Sequence, residues 1–251
     1  LVSTCGTKGP GMVEMLNDKT VVVIGGSAGI GLNVAQGAIA RGANVVIGAR
    51  DPAKLTQAAD ALGSRARALQ VDTADHASLA GFFQTISQFD HLFISAATYT
   101  VVGLDSDDEQ AIESPFRSKF WGQYWAVKLA IPYLAKDGSI TLTAGAAGAR
   151  PIKGGAVYAA CNSAIEGLGR GLAIDLAPIR VNTISPGTIN GHLWQNRPAE
   201  IRNAAFKHYS QIALAGRPGT EAEIADTVLY LMGNSFMTGS VLYPDGGYAL
   251  R

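Results

Sequence analysis

The sequence is short of charge, of cysteine and of long apolar runs. Only 16% of its 251 residues are charged, and 20 basic residues balance 20 acidic ones. With 47% hydrophobic residues, such a chain buries a sizeable core and is not a solvated, disordered polymer. Zero net charge argues against nucleic acid as a partner and against a basic membrane-surface protein. Two cysteines, Cys5 and Cys161, do not make a disulfide framework. No apolar run reaches the roughly 18 to 20 residues that span a bilayer. The expectation is a cytoplasmic protein acting on a small molecule, with no metal and no membrane anchor.

The opening stretch LVSTCGTKGPG holds three glycines and a proline, shows no period and lacks an apolar h-region. Residues 1–18 read as a disordered leader or cloning remnant, and 19–251 as one domain. Beyond residue 18 short apolar runs alternate with longer helical patterns. TVVVIGG, NVVIGAR, ARALQVD, HLFISAA, SITLTAG, RVNTISPG and SVLYPDGG read as strands. They are rich in Val and Ile and mostly do not alternate with polar residues. That pattern marks strands buried on both faces of a parallel sheet. Strand–helix alternation at this spacing predicts a doubly wound α/β fold of the Rossmann type.

Gly25, Gly29 and Gly31 stand between the first strand and the first helix, in VVVIGGSAGIGLNVAQ. A diphosphate needs close backbone approach there, and a helix N-terminus offers free N–H groups and a positive dipole end. The next strand ends in Ala49 and Arg50 rather than in a carboxylate. A guanidinium with no acidic neighbour suits an adenosine 2′-phosphate, and Ser27 adds a hydroxyl. NADP(H) is therefore expected over NAD(H). Asp72 and Thr73, after the third strand, are candidates for the adenine edge, with a helix cap as the competing role of Asp72.

Taken together, GGSAGIG, VDTAD, YAACNSAIEGL, IRVNTISPGTI and the closing GRPGTEAEIADTVLYLMGNSFMTGSVLYPDGG resemble a single-domain short-chain dehydrogenase/reductase over residues 19–248. The resemblance implies a seven-stranded parallel sheet, a nicotinamide cofactor across the strand ends, and a homodimer or homotetramer. It also places Ile30, Ala96, Ala97, Pro186, Gly187 and Ile189 along the cofactor. The departures all fall on the chemistry. Members of that family usually carry Asn, Ser, Tyr and Lys. Here the Tyr is Tyr158, but the Lys position holds Asn162, the Ser position Gly145 and the Asn position Lys119. Gly191 stands where a threonine is usual.

Tyr158 and Asn162, four residues apart on a helix, leave it on one face. The pattern suggests an exchange: the ammonium has moved from the second helix to the first. Lys119 then serves the Tyr158 phenol from the opposite side, and Asn162 is left to grip the cofactor ribose or position substrate. Thr143, Ser95 and Thr98 are candidate replacements for the missing serine hydroxyl. A substrate arriving as a charged iminium would need no such donor, so reduction of C=N stands beside reduction of C=O. Leu193, Trp194, Phe206 and Tyr209 of the lid, with Tyr99 and Trp121, suggest a bulky or cyclic apolar substrate. Two other classes stay open: a catalytically degenerate NADP-binding regulator, and a non-redox acid–base enzyme using Tyr158 and Lys119.

Overall fold

The computed structural model describes residues 16–250, so most of the expected leader lies outside the described residues. Its end does not. Leu16 is buried in the core, so the packed domain includes a residue three before Lys19.

Seven parallel strands form the central sheet. In chain order they are β1 (Thr20–Ile24), β2 (Asn44–Ala49), β3 (Ala66–Gln70), β4 (Phe89–Ile94), β5 (Leu134–Thr143), β6 (Arg180–Ile184) and, last in the chain, β9 (Val241–Leu242). Their spatial order is β3-β2-β1-β4-β5-β6-β9. A separate two-residue pair, β7 (Ile189–Asn190) and β8 (Gly219–Thr220), closes the rim. The order reverses between β1 and β4. Strand ends splay apart at such a switch point and leave a crevice.

The helices are α1 (Gly29–Ile39), α2 (Pro52–Leu62), α3 (His76–Ile86), α4 (Glu109–Ser114), α5 (Trp121–Ala130), α6 (Ala156–Asp175), α7 (His192–Gln195), α8 (Ala199–Ile212) and α9 (Glu221–Gly233). Strand side chains alternate between two cores. Val22 and Ile24 of β1 face the core built with α3, α5 and α6. Val21 and Val23 face the one built with α1, α2 and α9. Both layers are apolar, which is why the sequence shows continuous Val/Ile runs rather than alternation. Among the described residues no helix is long and apolar enough to cross a membrane.

Between α4 and α5 the chain makes a π-helical turn, Pro115–Phe120. Pro115 has no N–H for the Ala111 carbonyl, and the Ser114 hydroxyl donates to it instead at 2.7 Å. The Trp121 N–H reaches back five residues to the Phe116 carbonyl. Cys161 Sγ on α6 donates to the Pro115 carbonyl at 3.2 Å, and Gln123 Nε2 to the Lys119 carbonyl at 3.0 Å. Side chains thus satisfy the carbonyls of a turn that carries Lys119. Single π turns often sit at functional sites because they re-aim one side chain.

Candidate active site

The glycine turn has the conformation its residues allow. Gly25 and Gly29 have φ of +96° and +61°, open to residues without Cβ at little cost. A Cβ on Gly31 would collide with the Gly25 carbonyl. Ala28, at the N-cap of α1, offers no side chain to the first helical N–H groups. This bare N-terminus is suited to an anion.

A cleft of about 320 Å³ opens over this turn. Gly25, Gly29 and Ile30 form one wall; Ala96, Ala97, Pro186, Gly187 and Ile189 form others. Lys119, Gly145 and Tyr158 stand at its inner end. A second cleft of about 360 Å³ adjoins it, walled by Tyr99, Ile152, Leu193, Trp194, Tyr209 and Tyr248 among others. Tyr99 and Tyr158 belong to both. Their phenols therefore stand where the two clefts meet.

The Lys119 ammonium is buried at that junction. Its Nζ donates to Asn162 Oδ1 at 2.6 Å and to the Ala144 carbonyl at 2.7 Å. It lies 5.4 Å from the centre of the Tyr158 ring and 5.6 Å from that of Tyr99. An ammonium has three hydrogens, so one remains for the cleft. Burial pushes the Lys119 pKa below the ordinary lysine value, while charge on Tyr158 pulls it back up. The Lys119 amine thus lies near the Tyr158 ring, the proximity that the expected exchange requires.

Asn162 does not stand where that expectation put it. It is 0% exposed and forms no part of the cleft wall. Its Oδ1 accepts from Lys119 and its Nδ2 donates to the Tyr158 carbonyl at 2.8 Å. One amide ties the lysine to the turn of helix that carries the tyrosine. In this structure it grips Lys119.

The candidate hydroxyls for the missing serine each have a partner in this structure, while Ser95 and Thr143 also line the first cleft. Thr143 Oγ1 donates to the Ile94 carbonyl at 2.7 Å, and Thr98 Oγ1 accepts from Arg50 Nη2 at 2.8 Å. Ser95 Oγ leans on the Ile24 carbonyl at 3.4 Å. Another hydroxyl is nearer. Tyr99 OH donates to Tyr158 OH at 3.2 Å, and the two rings stack with centroids 5.1 Å apart. Burial pushes the Tyr99 phenol well above the ordinary tyrosine value, with Tyr158 adding to the rise, so it stays a donor. The sequence marked Tyr99 only as an aromatic near the substrate; no spacing links it to Tyr158, 59 residues away.

Other expected residues divide. Ser27 lies half-buried in the glycine turn. Arg50 is exposed at the end of β2 beside Thr98. Asp72 Oδ1 accepts the Ala74 N–H at 2.9 Å, a turn role, while Asp75 is the residue that caps α3. Neither Asp72 nor Thr73 belongs to the cleft wall. Of the lid residues, Leu193, Trp194 and Tyr209 line the second cleft, and Phe206 packs against Trp194 at 5.8 Å. Tyr209 is held by its OH to the Asp245 carbonyl at 2.5 Å. Trp121 is not in the site. It stacks edge-on with Phe120 and Tyr124 and is 48% exposed on α5. Among the described residues no cluster of His, Cys, Asp and Glu could hold a metal ion.

A family model described as enoyl-(acyl carrier protein) reductase matches residues 25–249. The short-chain dehydrogenase/reductase ucsE of Acremonium sp is 31% identical, over 93% of this chain and 96% of that one. The chain belongs to the short-chain dehydrogenase/reductase family. Solved structures agree in fold. The MalC reductase/Diels-Alderase of Malbranchea aurantiaca superposes with a TM-score of 0.89 at 28% identity, over 96% of this chain and all of that one. A small-chain dehydrogenase in complex with NADPH superposes with a TM-score of 0.80 at 32% identity, over 94% of this chain and all of that one. As a family member the chain is an oxidoreductase with the parallel sheet that the sequence predicted.

Proposed function

We propose that this short-chain dehydrogenase/reductase uses NADPH to reduce a C=O or C=N bond in a bulky or cyclic apolar molecule. The observation that carries the reading is the Lys119 ammonium, buried 5.4 Å from the Tyr158 ring and held by Asn162. The glycine turn fits a dinucleotide, because Gly25 and Gly31 let the turn pack closely on Ser95, Ala96 and itself, just before the uncapped N-terminus of α1. The relative solved with NADPH and Arg50, with no carboxylate at the end of β2, support the phosphorylated cofactor. When bound there, NADPH supplies the hydride.

The chain's own residues supply the rest. Tyr158 gives its proton to the carbonyl oxygen or neutral imine nitrogen, and the Lys119 ammonium stabilises the phenolate left behind. Tyr99 OH donates to the same place and takes over the task of the missing serine. Asn162 positions Lys119. The apolar second cleft, with Leu193, Trp194 and Ile152 in its wall, excludes water and favours a ring-bearing substrate.

An iminium substrate is already charged and needs no proton. NADPH oxidation with a ketone, a neutral cyclic imine and an N-alkylated iminium, in wild type and Tyr158→Phe, therefore tests the reading. Ketone and imine turnover should fall in the variant and iminium turnover persist. No NADPH consumption with any of the three would sink it.

A second reading is acid–base chemistry without redox. It draws support from MalC, whose description joins a reductase to a Diels-Alderase. Turnover in the absence of NADPH favours it; NADPH binding without consumption favours a degenerate regulator. A homodimer or homotetramer is proposed through the outer faces of α5 and α6, where Trp121 and Ile174 are exposed, and light scattering in solution measures it.

A further inference from the structure

The space left by one departure from the family pattern is filled by a carboxylate. Gly191 is buried and has no side chain. A Cβ built on it would fall inside the side chain of Glu221, meeting Cγ, Cδ and Oε1 together. Glu221 is the first residue of α9. Its Oε1 accepts the His192 N–H at 2.5 Å, at the start of α7. Its Oε2 lies 3.4 Å from Asn33 Nδ2, one turn into α1. A Cβ on Gly29 would stand 3.2 Å from Oε1. The carboxylate thus packs directly on the glycine turn, in the wall of the same cleft as Gly25, Gly29 and Ile30.

Two features of this place conflict with a merely structural cap. The turn opens a helix whose N-cap, Ala28, leaves the first N–H groups without a side-chain acceptor. A diphosphate is drawn to that helix end. Glu221 brings a carboxylate against the same turn, and two anions repel at short range.

We propose that Glu221 is a resident anion at the diphosphate subsite, displaced when the dinucleotide binds, and so determines cofactor affinity. The inference rests on the reading of this cleft as the dinucleotide site. Displacement also releases the His192 N–H, and with it the first turn of α7, which carries Leu193 and Trp194 into the wall of the substrate cleft. Cofactor arrival is thereby coupled to the shape of that wall.

Calorimetric titration of wild type, Glu221→Gln and Glu221→Ala with NADPH and with adenosine 2′-monophosphate tests the idea. The second probe carries the 2′-phosphate but no diphosphate. Glu221→Gln keeps the size and the acceptor for His192 while removing the charge, and unliganded melting curves establish that each variant is folded. Both variants should bind NADPH at least tenfold more tightly than wild type, with adenosine 2′-monophosphate affinity unchanged. NADPH affinity equal to or below wild type in both variants overturns the proposal. Equal tightening of both probes overturns it too, since the effect would not belong to the diphosphate. If wild type and variants bind neither probe, the cofactor reading itself fails, an outcome distinct from a wild type that binds NADPH as well as its variants do.

Discussion

Replacing Lys119 by Met removes the charge on which the proposed chemistry depends and nearly keeps the volume. The amine lies 5.4 Å from the centre of the Tyr158 ring. A unit charge at that separation from a forming phenolate contributes about 3 kcal/mol at an effective dielectric near 20. At roughly 1.4 kcal/mol per factor of ten, the rate should fall about 100-fold. The assay is NADPH oxidation with a ketone substrate, followed from pH 6 to pH 10.5. The pH profile carries a second signature. Burial holds the Lys119 pKa below its ordinary value of 10.5. The ammonium is complete below that lowered pKa and disappears as pH rises through it. Wild-type activity should therefore decline on the alkaline side before 10.5, and the profile of the slow variant should differ from it there.

Stability must be watched in the same experiment. Met leaves Asn162 Oδ1 and the Ala144 carbonyl without their donor, at about 1 to 3 kcal/mol each, offset in part by no longer burying a charge. The double exchange Lys119→Asn with Asn162→Lys returns the ammonium to the position the family usually uses, and should recover activity that Lys119→Met loses. A folded Lys119→Met protein with unchanged kcat and an unchanged pH profile would refute the role given to the amine.

Tyr99→Phe keeps the stacked ring and deletes the hydroxyl 3.2 Å from Tyr158 OH; kcat for a ketone should fall roughly 100-fold, as for loss of one donor to a developing oxyanion, and an unchanged kcat would return the search to other donors. Arg50→Ala should weaken NADPH by roughly 10- to 100-fold while leaving NADH alone, because a hydrogen bond to a charged group contributes about 1.5 to 3 kcal/mol; titration with both cofactors measures it. His91 is buried on β4 against Ser139 Oγ at 2.8 Å, and burial pushes its pKa down to about 4 from 6.5. The unfolded chain binds the extra proton between those values, so this contribution is whole above pH 6.5 and is lost as pH falls toward 4, by about 3 kcal/mol. His91→Gln should flatten that acid-side loss, read as urea midpoints at pH 7.5 and 4.5.

The strands and the glycine turn could be read from the sequence because each rests on a local rule. Val21 to Ile24 alternate between two apolar layers, Gly25 is called for by its positive φ, and Gly31 by the Gly25 carbonyl six residues before it. What escaped depends on contacts between distant segments or on a choice between helix faces. Leu16 closes the short run MVEML, which has no clear period, before Asn17 and Asp18, and only the α1–α9 layer shows that it is core. Trp121 and Lys119 lie two residues apart, and the π turn between α4 and α5 decides which of them meets the cleft. No period reports such a turn, since Pro115 is equally at home opening an ordinary helix. Glu221 is 29 residues from the His192 N–H it accepts, and Tyr99 is 59 from Tyr158.

Three departures from the family pattern reduce to one. Moving the ammonium to position 119 requires an acceptor across from it, and Asn162 supplies Oδ1 at 2.6 Å. That oxygen lies where a side chain at position 145 would begin: a Cβ on Gly145 would stand 3.1 Å from Asn162 Oδ1 and 3.4 Å from Tyr158 OH. The first contact is tighter than an ordinary van der Waals approach, and Asn162 has little freedom to yield, because its Nδ2 is held by the Tyr158 carbonyl. A serine at 145 would press on the amide that holds the lysine. Glycine there keeps the Lys119–Asn162 pair, and on the proposed reading the hydroxyl it lacks is replaced by that of Tyr99, 3.2 Å from Tyr158 OH. If the proposed chemistry holds, the cation, the amide, the glycine and the second phenol are one arrangement, and Gly145→Ser alone should disturb the Lys119–Asn162 pair and lower activity rather than raise it.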